Sequence, residues 1–209
     1  MPTSAIIMLY FLLHHLHFRL SPTLLPALLT LILLPFYSNL PEAWGYENHL
    51  LEKLQMVVLL FSIGLCLTAP KDKGFYHCVA LVFTILILRE INCGRTLFFA
   101  IPGTVNQFYQ WKNIPYGWLA HPLFALYIIY CLLRFLKHKR YLTLRRLLRR
   151  VRIPFWTLLL ILIGILFTLL GERLMGEARL EESAELLFYL ATASGLYLYS
   201  RQKLPNVSA

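Results

Sequence analysis

The chain has 209 residues, 58% of them hydrophobic and only 14% charged, with a formal net charge of +10. Water-soluble domains carry about 25% charged residues. That composition therefore excludes an ordinary soluble enzyme, and several apolar runs near the roughly 20 residues that cross a hydrocarbon core predict an all-α, polytopic transmembrane bundle. A basic excess in a soluble chain would suggest nucleic acid; here the distribution of charge between loops carries the information, and no nucleic-acid partner is expected.

Residues 4–20 are apolar apart from His14, His15, His17 and Arg19. Ser21-Pro22 reads as an N-cap followed by proline at the first helical position, so a second helix is expected over 22–37. Two short helices are the preferred reading of this part, and one long kinked helix the alternative. Polar residues near a helix end explain the histidines better than metal binding does. No basic stretch precedes the first apolar run and no small-residue cleavage site follows it, so a cleaved signal peptide is not expected.

A polar turn over 41–49 leads into a span at 50–68, with Glu52, Lys53 and Gln55 in its first turns. After the basic loop at Lys71-Asp72-Lys73, a span at 75–99 is expected to contain Arg89-Glu90-Ile-Asn92-Cys-Gly-Arg95. Each charge held inside a membrane costs roughly 2.5–3.5 kcal/mol on insertion scales and is seldom kept without a partner or a role. Residues 101–120 form a long loop rich in aromatics, including Trp111, Tyr116 and Trp118, as expected of a belt at headgroup level.

Further spans are expected at 121–136, 154–170 and 181–200, giving six in all with five to seven allowed, in one domain over 1–209. Between the first two of these, residues 140–152 place Arg145, Arg146, Arg149 and Arg150 on one helical face with leucines opposite. This is the pattern of an interfacial helix lying on anionic lipid headgroups. The four cysteines stand singly in apolar surroundings and read as packing residues rather than as a disulfide or metal site.

Alternating loops from Lys71-Lys73 puts Arg19, Lys71, Lys73, Arg134, Lys137, Lys139, Arg140, Arg145, Arg146, Arg149, Arg150, Arg152, Arg201 and Lys203 on one side, with Asp72 as the one acidic residue there. The positive-inside rule makes that side, and the C-terminus, cytoplasmic.

The acidic residues then gather beneath the outer rim. Glu52, Glu90, Glu182 and Glu185 are candidate catalytic or proton-handling groups, and Gln55, Arg89, Asn92 and Arg95 candidate ligand-binding groups. Carboxylates with an Asn and a Gln suit a divalent cation, and arginines suit an anionic headgroup or a phosphate. No metal-ligand spacing, Ser/His/Asp arrangement or phosphate loop accompanies them, so neither a cofactor nor a reaction can be named. A buried ion pair that merely fixes packing is the main competitor. The functional expectation is recognition or modification of a lipid-linked or small polar ligand at the outer leaflet. The alternatives are a proton- or cation-coupled transporter and a non-catalytic scaffold subunit whose protein partner is not specified. With no internal repeat and no glycine-broken helix pair in sight, a transporter of inverted-repeat type is disfavoured.

The ordered motifs Glu47-x-x-x-x-Glu52-x-x-Gln55, Glu90-Ile-Asn-Cys-Gly94-Arg95-Thr-Leu-Phe and Glu181-Glu182-x-x-Glu185 resemble a broad group of uncharacterised bacterial multi-pass membrane proteins. In that group the central motif usually reads Glu-Glu-Ile-Ser-Trp-Gly-Gln-Arg-Ile-Phe, and a long loop with Asn, Gln and His follows; Asn106, Gln107 and His121 would correspond. The resemblance covers roughly residues 45–200 and implies a bacterial plasma membrane protein without bringing an activity. Arg89 stands where the group has a Glu, which turns a paired-carboxylate position into an ion pair and argues against a metal there.

Overall fold

The computed structural model describes residues 16–104, 106–137, 142–143 and 153–201. The first apolar run up to residue 15 lies outside these residues. So does the basic stretch 140–152 apart from 142–143, with Arg145, Arg146, Arg149 and Arg150. The described chain is helical: α1 (Pro22–Asn39), α2 (Leu50–Leu67), α3 (Lys73–Glu90), α4 (Ala120–Lys137), α5 (Phe155–Leu170) and α6 (Ala178–Ser200). Of these, α1, α2, α4 and α5 are each long and apolar enough to cross a membrane, α5 with its π-helical extension Gly171–Met175.

α1 starts as its sequence predicts, with the Ser21 hydroxyl accepting from the Thr23 amide at 3.4 Å and Pro22 in the first turn. Residues 16–17 are extended and pair in parallel with 153–154. The chain therefore does not run as one helix through residues 16–40; residues 16–20, expected to close a first helix, are not helical, and the remainder of that expected helix lies outside the described residues.

α3 departs from expectation. The span at 75–99 is not continuous, because the helix ends at Glu90 and a single turn, Arg95–Phe98, resumes at 55° to it. Asn92 (φ +44°), Cys93 (φ +51°) and Gly94 (φ +92°) all take left-handed backbone conformations, which no helix can carry through. The expectation of one continuous span over 75–99 is corrected by this segment; it is a single broken helix among the described residues, not the broken pair of an inverted repeat.

α6 is the centre of the bundle. It begins three residues earlier than expected, and α1, α2 and α5 all pack on it. It is the helix with Arg179, Glu181, Glu182 and Glu185 in its sequence, yet Ala184, Leu187 and Ala191 are fully buried. Polar residues are tolerated because neighbouring helices, rather than lipid or water, surround them.

The α5–α6 seam runs on small residues at heptad spacing. A side chain at Gly164 would meet the Phe188 backbone at 2.9 Å, one at Gly171 would meet the Glu181 amide at 2.8 Å, and Gly195 faces Thr157. These three contacts keep one antiparallel register along the two helices. Such close backbone approach is how helices associate when burial of apolar surface supplies little drive.

The register sorts charge onto the two ends. Thr23 and Ser194 share a hydrogen bond of 2.7 Å, so the start of α1 meets the end of α6; Gln55 reaches Glu182, so the start of α2 meets the start of α6. Arg19, Lys71, Lys73, Arg134, Lys137 and Arg201 consequently lie at one end, and every described Glu lies toward the other.

Candidate functional site: a carboxylate cluster between three helices

Three helix ends bring the site together. Glu52 and Gln55 stand one turn apart on the first turns of α2, Arg89 and Glu90 close α3, and Glu182, Glu185 and Tyr189 lie along one face of α6. Spacings of three and four residues put side chains on a common face, which is why each helix contributes more than one polar group.

Arg89 makes its closer contact across helices, with Nη2 donating to Glu185 Oε1 at 2.6 Å. Its own neighbour Glu90 lies 3.5 Å from Nη1. Adjacent helical residues point about 100° apart, which leaves the pair within α3 at the longer distance. Glu90 instead accepts a hydrogen bond from the Tyr189 hydroxyl at 2.7 Å. Glu90 and Glu185 thus meet at one guanidinium, on the same side of the bundle. The Arg89 side chain is 55% exposed while those of Glu90 and Glu185 are 6% exposed, so the arginine forms the outer edge of an otherwise buried cluster.

Gln55 is fully buried, and its Nε2 donates both to the Glu182 backbone carbonyl at 2.9 Å and to Glu182 Oε2 at 2.8 Å. Two acceptors on one side fix which way the amide faces, and Gln55 Oε1 then has no partner among the described residues. Glu52 turns back to accept from the Asn48 backbone amide, capping α2 from within its first turn. Glu52 and Glu182 both lie within electrostatic reach of Glu185.

Asn92 and Arg95 are drawn elsewhere. With its amide oxygen turned toward Arg95, Asn92 accepts from Nε at 3.2 Å and Nη2 at 2.8 Å, and the guanidinium lies 5.9 Å from the centre of the Phe108 ring. The two residues pin the broken segment to the following loop, whereas the sequence grouped them with the carboxylates. That loop folds back as a short hairpin, with Ile101 bonded to Gln107 and Tyr109 to Phe99 through the backbone, and Asn106 Oδ1 accepts from the Glu47 amide at 3.1 Å. The loop therefore lies over the start of α2, beside the cluster. His121 packs edge-on against Trp111 at the head of α4 and Gln107 takes part through its backbone, so the two residues sit in the loop's own framework.

Among the described residues no three His, Cys, Asp or Glu side chains are arranged to hold a metal ion, and the four cysteines are free. Glu177 sits at the N-cap of α6 and pairs with Arg179 at 3.4 Å, short of the face that carries Glu181 and Glu185. Two contributors went unread in the sequence. Tyr189 looks like an ordinary core aromatic, although its place one turn beyond Glu185 was a usable signal. Arg179 donates to the carbonyls of Ser38 and Leu40 at 3.0 Å each, clamping the end of α1 to the head of α6.

The arrangement has a charge imbalance. Four carboxyl groups gather here around one guanidinium, which touches Glu185 and Glu90 but neither Glu52 nor Glu182, and the exposed Lys53, within reach of Glu52, adds one solvent-facing cation. Counted as fully ionised, and with Lys53 included, there are two more carboxylates than cations. Burial without a cation favours the neutral acid for part of the set, and a cationic group entering the cluster would favour the ionised form and be attracted by it. The Arg89 guanidinium, expected from the sequence to suit an anionic headgroup, is already paired with Glu185 and Glu90.

No family model matches this chain, and no curated protein and no solved structure matches it.

Proposed function

We propose that this chain is an integral protein of the bacterial plasma membrane, with its basic end and C-terminus in the cytoplasm. At its outward end the Glu52, Glu90, Glu182 and Glu185 cluster recognises the cationic group of a small polar or lipid-linked ligand at the outer leaflet. Membrane insertion is supported by the apolar outer faces of the helices. Leu126, Leu133 and Leu136 on α4 are each about 60% exposed, as are Val57 and Leu60 on α2 and Ile32 and Leu33 on α1, and soluble monomers rarely expose continuous apolar surface on that scale. The orientation is supported by the segregation of charge. The bacterial setting is supported by the ordered motifs at Glu47–Gln55, Glu90–Phe98 and Glu181–Glu185.

The observation that carries the ligand class is the carboxylate excess. An ammonium group is a hydrogen-bond donor with positive charge and no acceptor, so it matches both the excess charge and the unpartnered Gln55 Oε1. The test uses the purified chain in nanodiscs of uncharged lipid, titrated with ethanolamine-bearing and with glycerol-bearing headgroup analogues. The ethanolamine series should bind and the E182Q variant should weaken that binding about tenfold, the scale of a lost charge-assisted contact. Equal binding by the variant, or preference for the glycerol phosphate series, sinks the proposal.

A second reading, proton- or cation-coupled transport, draws on the 55° break directly after Glu90. Discontinuous helices beside membrane-embedded carboxylates are a recurring feature of coupled transporters. Dissipation of an imposed proton or sodium gradient by the chain in sealed vesicles, abolished by E90Q, would favour it over simple recognition.

A further inference from the structure

At the opposite end of the bundle the chain forms a pocket that the carboxylate cluster does not involve. The parallel pairing of residues 16–17 with 153–154 ties the segment before α1 to the head of α5. Trp156 secures it by donating its indole N–H to the Phe18 carbonyl at 2.7 Å, and Phe18 and Phe155 pack with ring centres 4.9 Å apart. The cavity beside this junction measures about 400 Å³, with His17, Arg19 and Ser21 as its polar walls and Leu24, Pro154 and Leu198 as its apolar floor. Among the described residues no carboxylate lines it.

We infer that this pocket binds the phosphate-bearing headgroup of one anionic phospholipid from the cytoplasmic leaflet. The inference rests on the membrane placement proposed above and is independent of what the carboxylate cluster binds. The Arg19 guanidinium and the His17 imidazole offer hydrogen-bond donors to phosphate oxygens, while the Ser21 hydroxyl is engaged with Thr23 at 2.8 Å and serves as polar wall. The apolar floor suits the glycerol and the first methylenes of the chains. The pocket also lies at the end where Lys71, Lys73, Arg134, Lys137 and Arg201 collect with Asp72 as their one acidic companion, so the local field draws an anion there. Basic pockets between helices on the cytoplasmic side recognise anionic headgroups in this way. The stretch with Arg145, Arg146, Arg149 and Arg150 lies outside the described residues, and the lipid contact its sequence predicts is a diffuse one with the membrane surface.

The experiment uses the full chain reconstituted in nanodiscs of mixed phosphatidylcholine and phosphatidylglycerol and released into a native mass spectrometer. One phosphatidylglycerol should remain bound to the wild-type chain through activation that strips the remaining lipid. Arg19→Gln should lower its retention about tenfold, while Arg19→Lys keeps part of it. Replacing Arg145, Arg146, Arg149 and Arg150 together by Gln should leave that single lipid in place. The inference is overturned if Arg19→Gln retains the lipid as wild type does, or if the four-arginine variant alone loses it. Displacement of the lipid by millimolar inorganic phosphate also overturns it, by assigning the pocket to a free anion.

Discussion

Arg89→Gln should destabilise the bundle by about 2–4 kcal/mol, measured by thermal or denaturant unfolding in detergent. Removing one partner of a buried ion pair leaves the other charge uncompensated, which costs about 3–5 kcal/mol in fully buried cases. The lower figure applies here because the Arg89 side chain is 55% exposed, and solvent replaces part of what the guanidinium supplied. The stranded group is Glu185, held by Arg89 at 2.6 Å between α3 and α6. The double variant R89Q/E185Q should recover most of the loss, since neutralising both partners leaves no bare charge. Equal stability of the single and double variants would show that Arg89 acts through packing alone.

Gly164→Leu should be worse for assembly, by about 3 kcal/mol or more, at or beyond the top of the range for overpacking. A Cβ at Gly164 lies 2.9 Å from backbone and Cβ atoms of Phe188. Backbone cannot swing aside as the tip of a side chain can, so α5 and α6 must separate. The seam at Gly171 and Gly195 opens with them. Because Glu181 sits directly over Gly171, the variant should also displace the head of α6 and loosen the carboxylate cluster. Gly64→Ala is the matched control, since among the described residues nothing beyond its own helix backbone lies within 4 Å of a Cβ there. It should be near neutral or slightly stabilising by helix propensity. Comparable losses in both variants would remove the seam from the account.

Much of the scaffold was legible in the sequence. The expected spans at 50–68, 121–136 and 154–170 correspond to α2 (Leu50–Leu67), α4 (Ala120–Lys137) and α5 (Phe155–Leu170), because each is an apolar run bounded by turn or charged residues. The break after Glu90 was not legible. Gly94 alone is a weak signal, and Asn92 and Cys93 reach left-handed conformations only because the surrounding structure holds them there. The central place of α6 was hidden as well. Hydropathy ranks helices by their fitness for lipid, and a helix sheathed by its neighbours is freed from that requirement. In the cluster, Glu52, Gln55, Arg89, Glu90, Glu182 and Glu185 could be nominated from spacing and level. That Arg89 lies closer to Glu185 than to Glu90 depends on the rotation of α3 against α6, which no local pattern encodes. Asn92 and Arg95 were grouped with the carboxylates because a straight helix would have carried them there, and the 55° bend turns them toward Phe108 instead.

The account depends on the carboxylate end facing out of the cell. The direct measurement is labelling of intact cells with a membrane-impermeant maleimide, in a chain whose four native cysteines are replaced by serine. One cysteine is then introduced either at Leu174, 76% exposed beyond α5, or at the exposed Lys71 before α3. The account predicts that L174C is labelled in intact cells and K71C only after the membrane is opened. The reverse pattern would put the cluster in the cytoplasm and contradict an outward-facing site.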